Sequence, residues 1–233
     1  MAFRKKAGHI LAYKPDILVV PECEHPDKLK FNDDTPKPTD ILWFGENKNK
    51  GLGIFSYSHF RFKLIKTHNP ALKMIIPIAV TGNAQHPAGN YKFTLFAVWA
   101  NNPADPDGVY VEQVWKALQH YKLSKKNTIL AGDFNSNTIW DRKYRIGNHS
   151  HVVDHLHKKG ISSCYHLHHK QIQGKEEHPT HYLYRHQDKP YHLDYCFAST
   201  DLADKIRSVE IGSFDSWKQY SDHVPVMVSF GDD

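Results

Sequence analysis

Thr128-Ile129-Leu130-Ala131-Gly132-Asp133-Phe134-Asn135 reads as a short β-strand that ends in a carboxylate and an amide. Asp133 and Asn135 stand two apart, so an extended backbone would aim both side chains the same way, unless an Asx-turn closes the strand instead. Three distant segments repeat the arrangement: Ile17-Leu18-Val19-Val20-Pro21-Glu22, His192-Leu193-Asp194 beside the apolar run to Ala198, and Ser221-Asp222-His223 before Val224. In an open α/β sheet the carboxyl edge collects polar side chains from remote parts of the chain into one crevice, so acids placed this way imply a single site. Carboxylates with an Asn and a His suit a hard divalent cation and a phosphate ester, and the sparse Cys argues against a thiolate metal site.

The chain of 233 residues is long enough to bury a substantial core and reads as one domain over 1–233. With 40% apolar and 24% charged residues it has the composition of a folded globular protein, and no run approaches the roughly 18 apolar residues that span a bilayer. Cys23, Cys164 and Cys196 are odd in number and widely spaced, which gives neither a disulfide framework nor a zinc knuckle and points to a reducing, cytoplasmic location. The net charge of +5 makes a polyanionic partner plausible without demanding one. No feature points to a membrane or to a protein partner.

Apolar spacing predicts a helix over Arg4 to Tyr13 and a buried strand over Ile17 to Val20, followed by a Pro- and Asp-rich loop from His25 to Asp40. Ile41 to Phe44 and Leu52 to Ser56 flank the Gly-bounded turn 45–51 and read as a hairpin. Strands follow at Phe60 to Lys66, Met74 to Thr81 and Lys92 to Ala100. A helix runs from Val109 to Tyr121, with Asp105 or Asp107 available as caps, and another from His151 to Lys159 is stopped by Gly160. Later strands are expected at Ile161 to Tyr165, Thr180 to Tyr184, Leu193 to Ala198, Ile206 to Gly212 and Val224 to Phe230, with Gln171 to Glu177 as a polar loop. Strands interleaved with helices predict an α/β fold, a layered α/β sandwich of two mixed β-sheets flanked by helices.

Taken in order over nearly the whole chain, Pro15 to Glu22, Gly132-Asp133-Phe134-Asn135, Leu193-Asp194-Tyr195 and Ser221 to Val226 resemble the endonuclease/exonuclease/phosphatase superfamily. That group includes exonuclease III-like and deoxyribonuclease-like nucleases, phosphatases and phospholipid phosphodiesterases. The resemblance implies a divalent-metal-dependent phosphodiester hydrolase using Mg²⁺, or Mn²⁺. Glu22 would bind the metal, and a carboxylate ending a buried strand needs a metal or a basic partner in any case, the alternative being a salt bridge with a Lys. Asp222 would also lie at the metal, which requires a turn for it and His223 to face the site together. Glu24 is a weaker candidate. Asp133 would prepare the attacking water, Asn135 would donate to the phosphate, and Asp194 would fix His223 as a cation beside the scissile group.

Where the family carries a Tyr or His near the phosphate, this chain has Trp99, so Asn101 is expected to take that role, with Trp99 offering only its indole N–H. His181 or Tyr182 would contact substrate, or else pack as an ordinary strand. The family pattern begins with a strand ending in Asn, whereas this sequence opens at Met1 inside that junction. The expectation is truncation at an internal Met, with lower solubility or activity than a form extended upstream. The 18 histidines, crowded between His149 and His192, are expected to be mostly exposed on a basic rim rather than a zinc site, although His151 with His155 and His166 with His168 have ligand-like spacing. The favoured substrate is nucleic acid, DNA or RNA. The alternatives are a phosphatase or phospholipid phosphodiesterase with the same residues, and a degenerate nucleic-acid-binding module.

Overall fold

The computed structural model describes residues 3–29, 35–72, 75–82, 91–101 and 110–231. In chain order these form helix α1 (Ala7–Leu11), strands β1 (Ile17–Cys23), β2 (Asp40–Asn47), β3 (Lys50–Ser56), β4 (Arg61–Leu64), β5 (Ile75–Thr81) and β6 (Lys92–Trp99), then helix α2 (Val111–His120). Strand β7 (Thr128–Asp133), helix α3 (His149–Lys158), strand β8 (Ile161–Ser163), helix α4 (Cys164–His169) and strands β9 (His181–Tyr182), β10 (Pro190–Tyr191) and β11 (Asp194–Ser199) follow. Helix α5 (Thr200–Ala203), strand β12 (Ile206–Ile211), helix α6 (Phe214–Trp217) and strand β13 (Val226–Phe230) complete the chain.

Alternation along the strands dictates the layers. On β6, Phe96 and Val98 face one side, where they pack with Val114, Leu118, Val152 and Leu156 of α2 and α3. Leu95, Ala97 and Trp99 face the other, against Leu52 and Ile54 of β3 and Ile76 and Ile78 of β5. Strand β1 divides likewise, Val20 going to a cluster with α1 and Trp217 of α6, and Val19 to the interior between the sheets. The result is helix, sheet, sheet, helix, the layered α/β arrangement that the sequence predicts.

One sheet is three-stranded, in the order β1-β3-β2, and antiparallel. The other is six-stranded, β4-β5-β6-β7-β11-β8, and mixes directions through the parallel β6–β7 pair. Strands β12 and β13 pair apart from these. Because β11 runs antiparallel to β7, the carboxyl end of β7 lies beside the amino end of β11, and Asp133 is the direct cross-strand partner of Asp194. The polar edge therefore combines strand ends of both senses, not carboxyl ends alone.

Several local expectations change. The turn between β2 and β3 is tight, Asn47 pairing with Lys50, because strand pairing runs on through the glycines. Cys164 and Tyr165, expected to end the strand from Ile161, instead open α4 and pack with Cys196 and Val209. The Thr180 to Tyr184 strand shrinks to two residues, because Tyr184 turns to φ 54. Helix α2 starts at Tyr110 without a side-chain cap, and Asp105 and Asp107 lie outside the described residues. Gly160 stops α3 as expected, at φ +70.

The histidine-rich region is a buried network in its inner part, not an exposed rim. His149 and His192 are shielded from solvent. Ser136 Oγ lies 2.8 Å from His149 Nδ1, and His166 bridges Ser163 Oγ (2.8 Å) and Glu176 Oε1 (3.0 Å). Buried polar groups need such partners, and the polar loop 171–177 supplies them by folding Glu176 inward. His151 accepts from the backbone of Gly147 and Asn148 at the start of α3, a structural role for one member of the proposed metal pair. No helix among the described residues is long and apolar enough to cross a membrane.

Candidate active site

Gly132 lets β7 approach β6 so closely that any Cβ there would collide with the Val98 carbonyl, and its φ of +138 suits only glycine. This delivers Asp133 to the edge, buried at 4% exposure. Asn135 then turns left-handed at φ 46. Its N–H donates to Asp133 Oδ1 at 2.8 Å, and its Nδ2 donates to Asp133 Oδ2 and to the Ala100 carbonyl, both at 2.7 Å. The side chains of Asp133 and Asn135 converge through this Asx-turn, which corrects the expectation of an extended backbone. Both amide hydrogens of Asn135 are already engaged, one on Asp133 and one on the Ala100 carbonyl.

Asp194 faces Asp133 across the strand pair, and its backbone N–H donates to Thr180 Oγ1 at 3.0 Å. Its Oδ2 lies 2.8 Å from His223 Nδ1. His223 reaches the site because its own N–H donates to Ser221 Oγ at 3.2 Å, closing a bend at Asp222. It also bridges to His181 as an isolated β-partner. The turn needed to present Asp222 and His223 together is thus present. Asp222 Oδ2 stands 4.0 Å from His181 Nε2.

Asp133, Asp194 and His223 offer ligand atoms within 4.8 Å of one another, and they form the only such group of three acidic, His or Cys residues among the described residues. Their charges act strongly on one another. Burial, with Asp194 opposite, drives the Asp133 carboxyl well above its usual range. For His223 burial alone would lower the value, but the charge and hydrogen bond of Asp194 outweigh it and raise the imidazole to about 10. His223 is therefore a cation across neutral pH. Burial would also raise Asp222, yet the His223 charge and a backbone hydrogen bond hold it lowered. Burial lowers His181, with the His223 charge adding to it.

Glu22 stands at the border of this group rather than within it. A β-bulge sets Pro21 and Glu22 between Val20, which pairs with Gly53, and Cys23, which pairs with Gly51. The bulge turns Glu22 to φ 60 and gives its carboxylate to Lys50 Nζ at 2.6 Å. Lys50 also lies 5.5 Å over the Trp99 ring, and Asp133 feels the Glu22 charge. Glu24 belongs elsewhere. It is buried and accepts from Arg4 Nη1 at 2.9 Å and from the N–H groups of Phe3 and Arg4. Trp99 is packed between the sheets, and Asn101 follows it just past the strand end.

Sequence reasoning missed three supporting residues. Thr180 holds the N–H groups of both Leu193 and Asp194. Lys50 pairs with Glu22, a contact that hairpin register could have revealed because Gly51 lies opposite Cys23. Lys6 stands where Asp222, Cys23, Glu22 and Glu24 all act on it, and burial lowers its ammonium despite them. Nothing in the local sequence marks it.

The model of the Endonuclease/Exonuclease/phosphatase family matches residues 7–223. No functionally curated protein matches the chain in sequence. Among solved structures, an AP endonuclease from Archaeoglobus fulgidus is similar at TM-score 0.66 and 17% identity, covering 98% of this chain and 95% of that one. The Neisseria 3′ phosphatase NExo bound to a product DNA hairpin is similar at TM-score 0.60 and 19% identity, with 98% and 94% covered. The endonuclease domain of TRAS1, a telomere-specific non-LTR retrotransposon, is similar at TM-score 0.57 and 17% identity, with 95% and 88% covered. At these identities the structural likeness speaks for the fold.

Proposed function

The chain belongs to the endonuclease/exonuclease/phosphatase family, whose members hydrolyse phosphodiester bonds, and we propose that it is a divalent-metal-dependent nuclease. The observation that carries this reading is the Asp133, Asp194 and His223 group, two facing carboxylates with a fixed imidazolium at an open sheet edge. The raised Asp133 carboxyl beside Asp194, and the carboxylate oxygens gathered at this edge, fit a hard cation such as Mg²⁺ or Mn²⁺. Glu22 and Asp222, at the border of the group, would hold it beside Asp133 and Asp194. Once bound, the ion supplies Lewis-acid polarisation of a phosphate oxygen.

The chain's own residues would do the rest. Asp133, locked by its two bonds from Asn135, would accept the proton of the attacking water. More strictly, those bonds come from the Asn135 N–H and Nδ2, so Asn135 first positions Asp133, and it reaches a phosphate only by releasing the Ala100 carbonyl. His223, held protonated by Asp194, stabilises negative charge as it grows on the phosphoryl oxygens. Asn101, just past the end of β6, and His181, against the His223 ring, would contact substrate, with Trp99 packed behind them as support.

Nucleic acid as substrate is favoured by the +5 net charge and by relatives whose names describe action on DNA. The free, buried cysteines accord with a reducing, cytoplasmic location. Incubating the protein with Mg²⁺ or Mn²⁺ and, side by side, a plasmid, an abasic-site duplex and a small bis-phosphate ester tests the reading. Cleavage of nucleic acid is expected. Turnover of the small ester alone would favour a phosphatase or phospholipid phosphodiesterase, and binding without turnover a degenerate module.

A further inference from the structure

The loop after the Asp133–Asn135 turn displays side chains that the proposed chemistry does not use. Trp140 is 48% exposed, Tyr144 89% and Ile146 75%, with the exposed cations Arg142 and Lys143 between them. A cluster of large apolar side chains held in water marks an interaction surface. The loop is pinned at its base. Asp141 accepts from the N–H groups of His149 (2.9 Å) and Ser150 (3.0 Å), and Asn148 Nδ2 donates to the Arg142 carbonyl at 2.7 Å. These bonds fix the backbone from which the exposed rings project.

The rings also connect to the site. Trp140 lies against Tyr191 with centroids 5.0 Å apart, Tyr191 stacks with His181 at 6.3 Å, and His181 meets His223 at 4.5 Å. An aromatic path thus runs from the His223 imidazole to the solvent-facing loop. Lys143 Nζ sits 5.5 Å over the Tyr144 ring. Asp141 is committed to the α3 terminus and Arg145 is paired with Glu112, so Arg142 and Lys143 set the outward charge of the loop. Exposed ring faces interleaved with cations match bases that can stack singly and phosphates spaced along a flexible backbone. A duplex stacks its bases on one another and withholds those faces.

We propose that Trp140 and Tyr144, with Arg142 and Lys143, form a stacking platform for unpaired nucleotides leading into the Asp133, Asp194 and His223 site, so that the preferred substrate is single-stranded or carries an unpaired segment. The proposal deepens the nuclease reading and rests on it for the bond that is cut, but it is tested by binding alone. Fluorescence anisotropy in EDTA with labelled oligo(dT), oligo(U) and a duplex of equal length gives the comparison, the first two arms deciding between DNA and RNA. Single strands should bind at least about tenfold tighter than duplex, Trp140→Ala and Tyr144→Ala should each weaken binding about tenfold, and Trp140→Phe should restore it. Arg142→Ala should reduce the slope of log K against log salt by about 0.7. Duplex binding as tight as single strand, or wild-type affinity in both alanine variants, would overturn the platform. Strand binding through Trp140 without metal-dependent cleavage would leave the platform and remove the nuclease reading, whereas cleavage with no strand preference would do the reverse.

Discussion

Glu22 holds a left-handed backbone that glycine would adopt without strain. A non-glycine residue kept at φ 60 beside a cluster of acids is the pattern of a functional constraint. Relief of that strain is worth about 1 kcal/mol, more than the exposed Lys50 ion pair that would be lost. Glu22→Gly is therefore expected to leave the melting temperature unchanged or raise it by a few degrees while cutting metal-dependent turnover at least about tenfold. Thermal melts and rate assays on the same preparation check this, and a variant with lower stability and full activity would contradict it. The identity of the converging groups was legible in the sequence, since Asp133, Asp194 and His223 are all expected members. Their partners were not, because Lys50, Lys6 and Thr180 reach the edge through register and loop packing that no local pattern encodes.

The β6–β7 pair carries the site, and Gly132 is its tightest point. An added methyl would meet the Val98 carbonyl and impose a φ that L side chains avoid, so Gly132→Ala is expected to destabilise the fold by about 3 kcal/mol or more. Urea unfolding followed by circular dichroism would read this as a lowered midpoint, and an unshifted midpoint would count against the close packing. Most strands could be read from apolar runs because both sheet faces are covered, which keeps their sequences continuously apolar. Short elements such as α4, α5, α6 and β10 escaped, since tertiary packing defines them rather than periodicity, and the left-handed Tyr184 cuts short the strand expected around β9. The histidines were misplaced for a related reason. Composition suggests exposure, yet Ser136, Gln173 and Glu176 satisfy them inside.

At the scale of the whole molecule this buried network sets the acid limit of stability. Burial lowers His149 to about 4, so the unfolded chain binds its proton near the ordinary value of 6.5 and the folded chain resists it. Protonation therefore favours unfolding as pH falls through that window, at a cost of about 3 kcal/mol. For Glu176 burial acts upward, but bonds from His166, Gly174 and Asn137 hold the carboxyl at about 2, so its contribution is present above its unfolded value of 4.5 and is lost as pH falls through 2. The melting temperature should drop steadily from pH 6.5 to 4, and His149→Gln should flatten that decline in circular-dichroism melts. A wild-type profile that is flat over this range would refute the buried-histidine account.

The layered sheets bring Asp133 and Asp194, 61 positions apart, to one edge, where Asp133 is proposed to do the chemistry. The most direct test is the Mg²⁺-dependent rate of phosphodiester cleavage by wild-type protein and by Asp133→Asn, with folding checked by circular dichroism. The expected result is an unchanged spectrum with turnover reduced by about 10²- to 10⁴-fold, the range for removing a general base. A folded Asp133→Asn variant that cleaves at nearly the wild-type rate would contradict it.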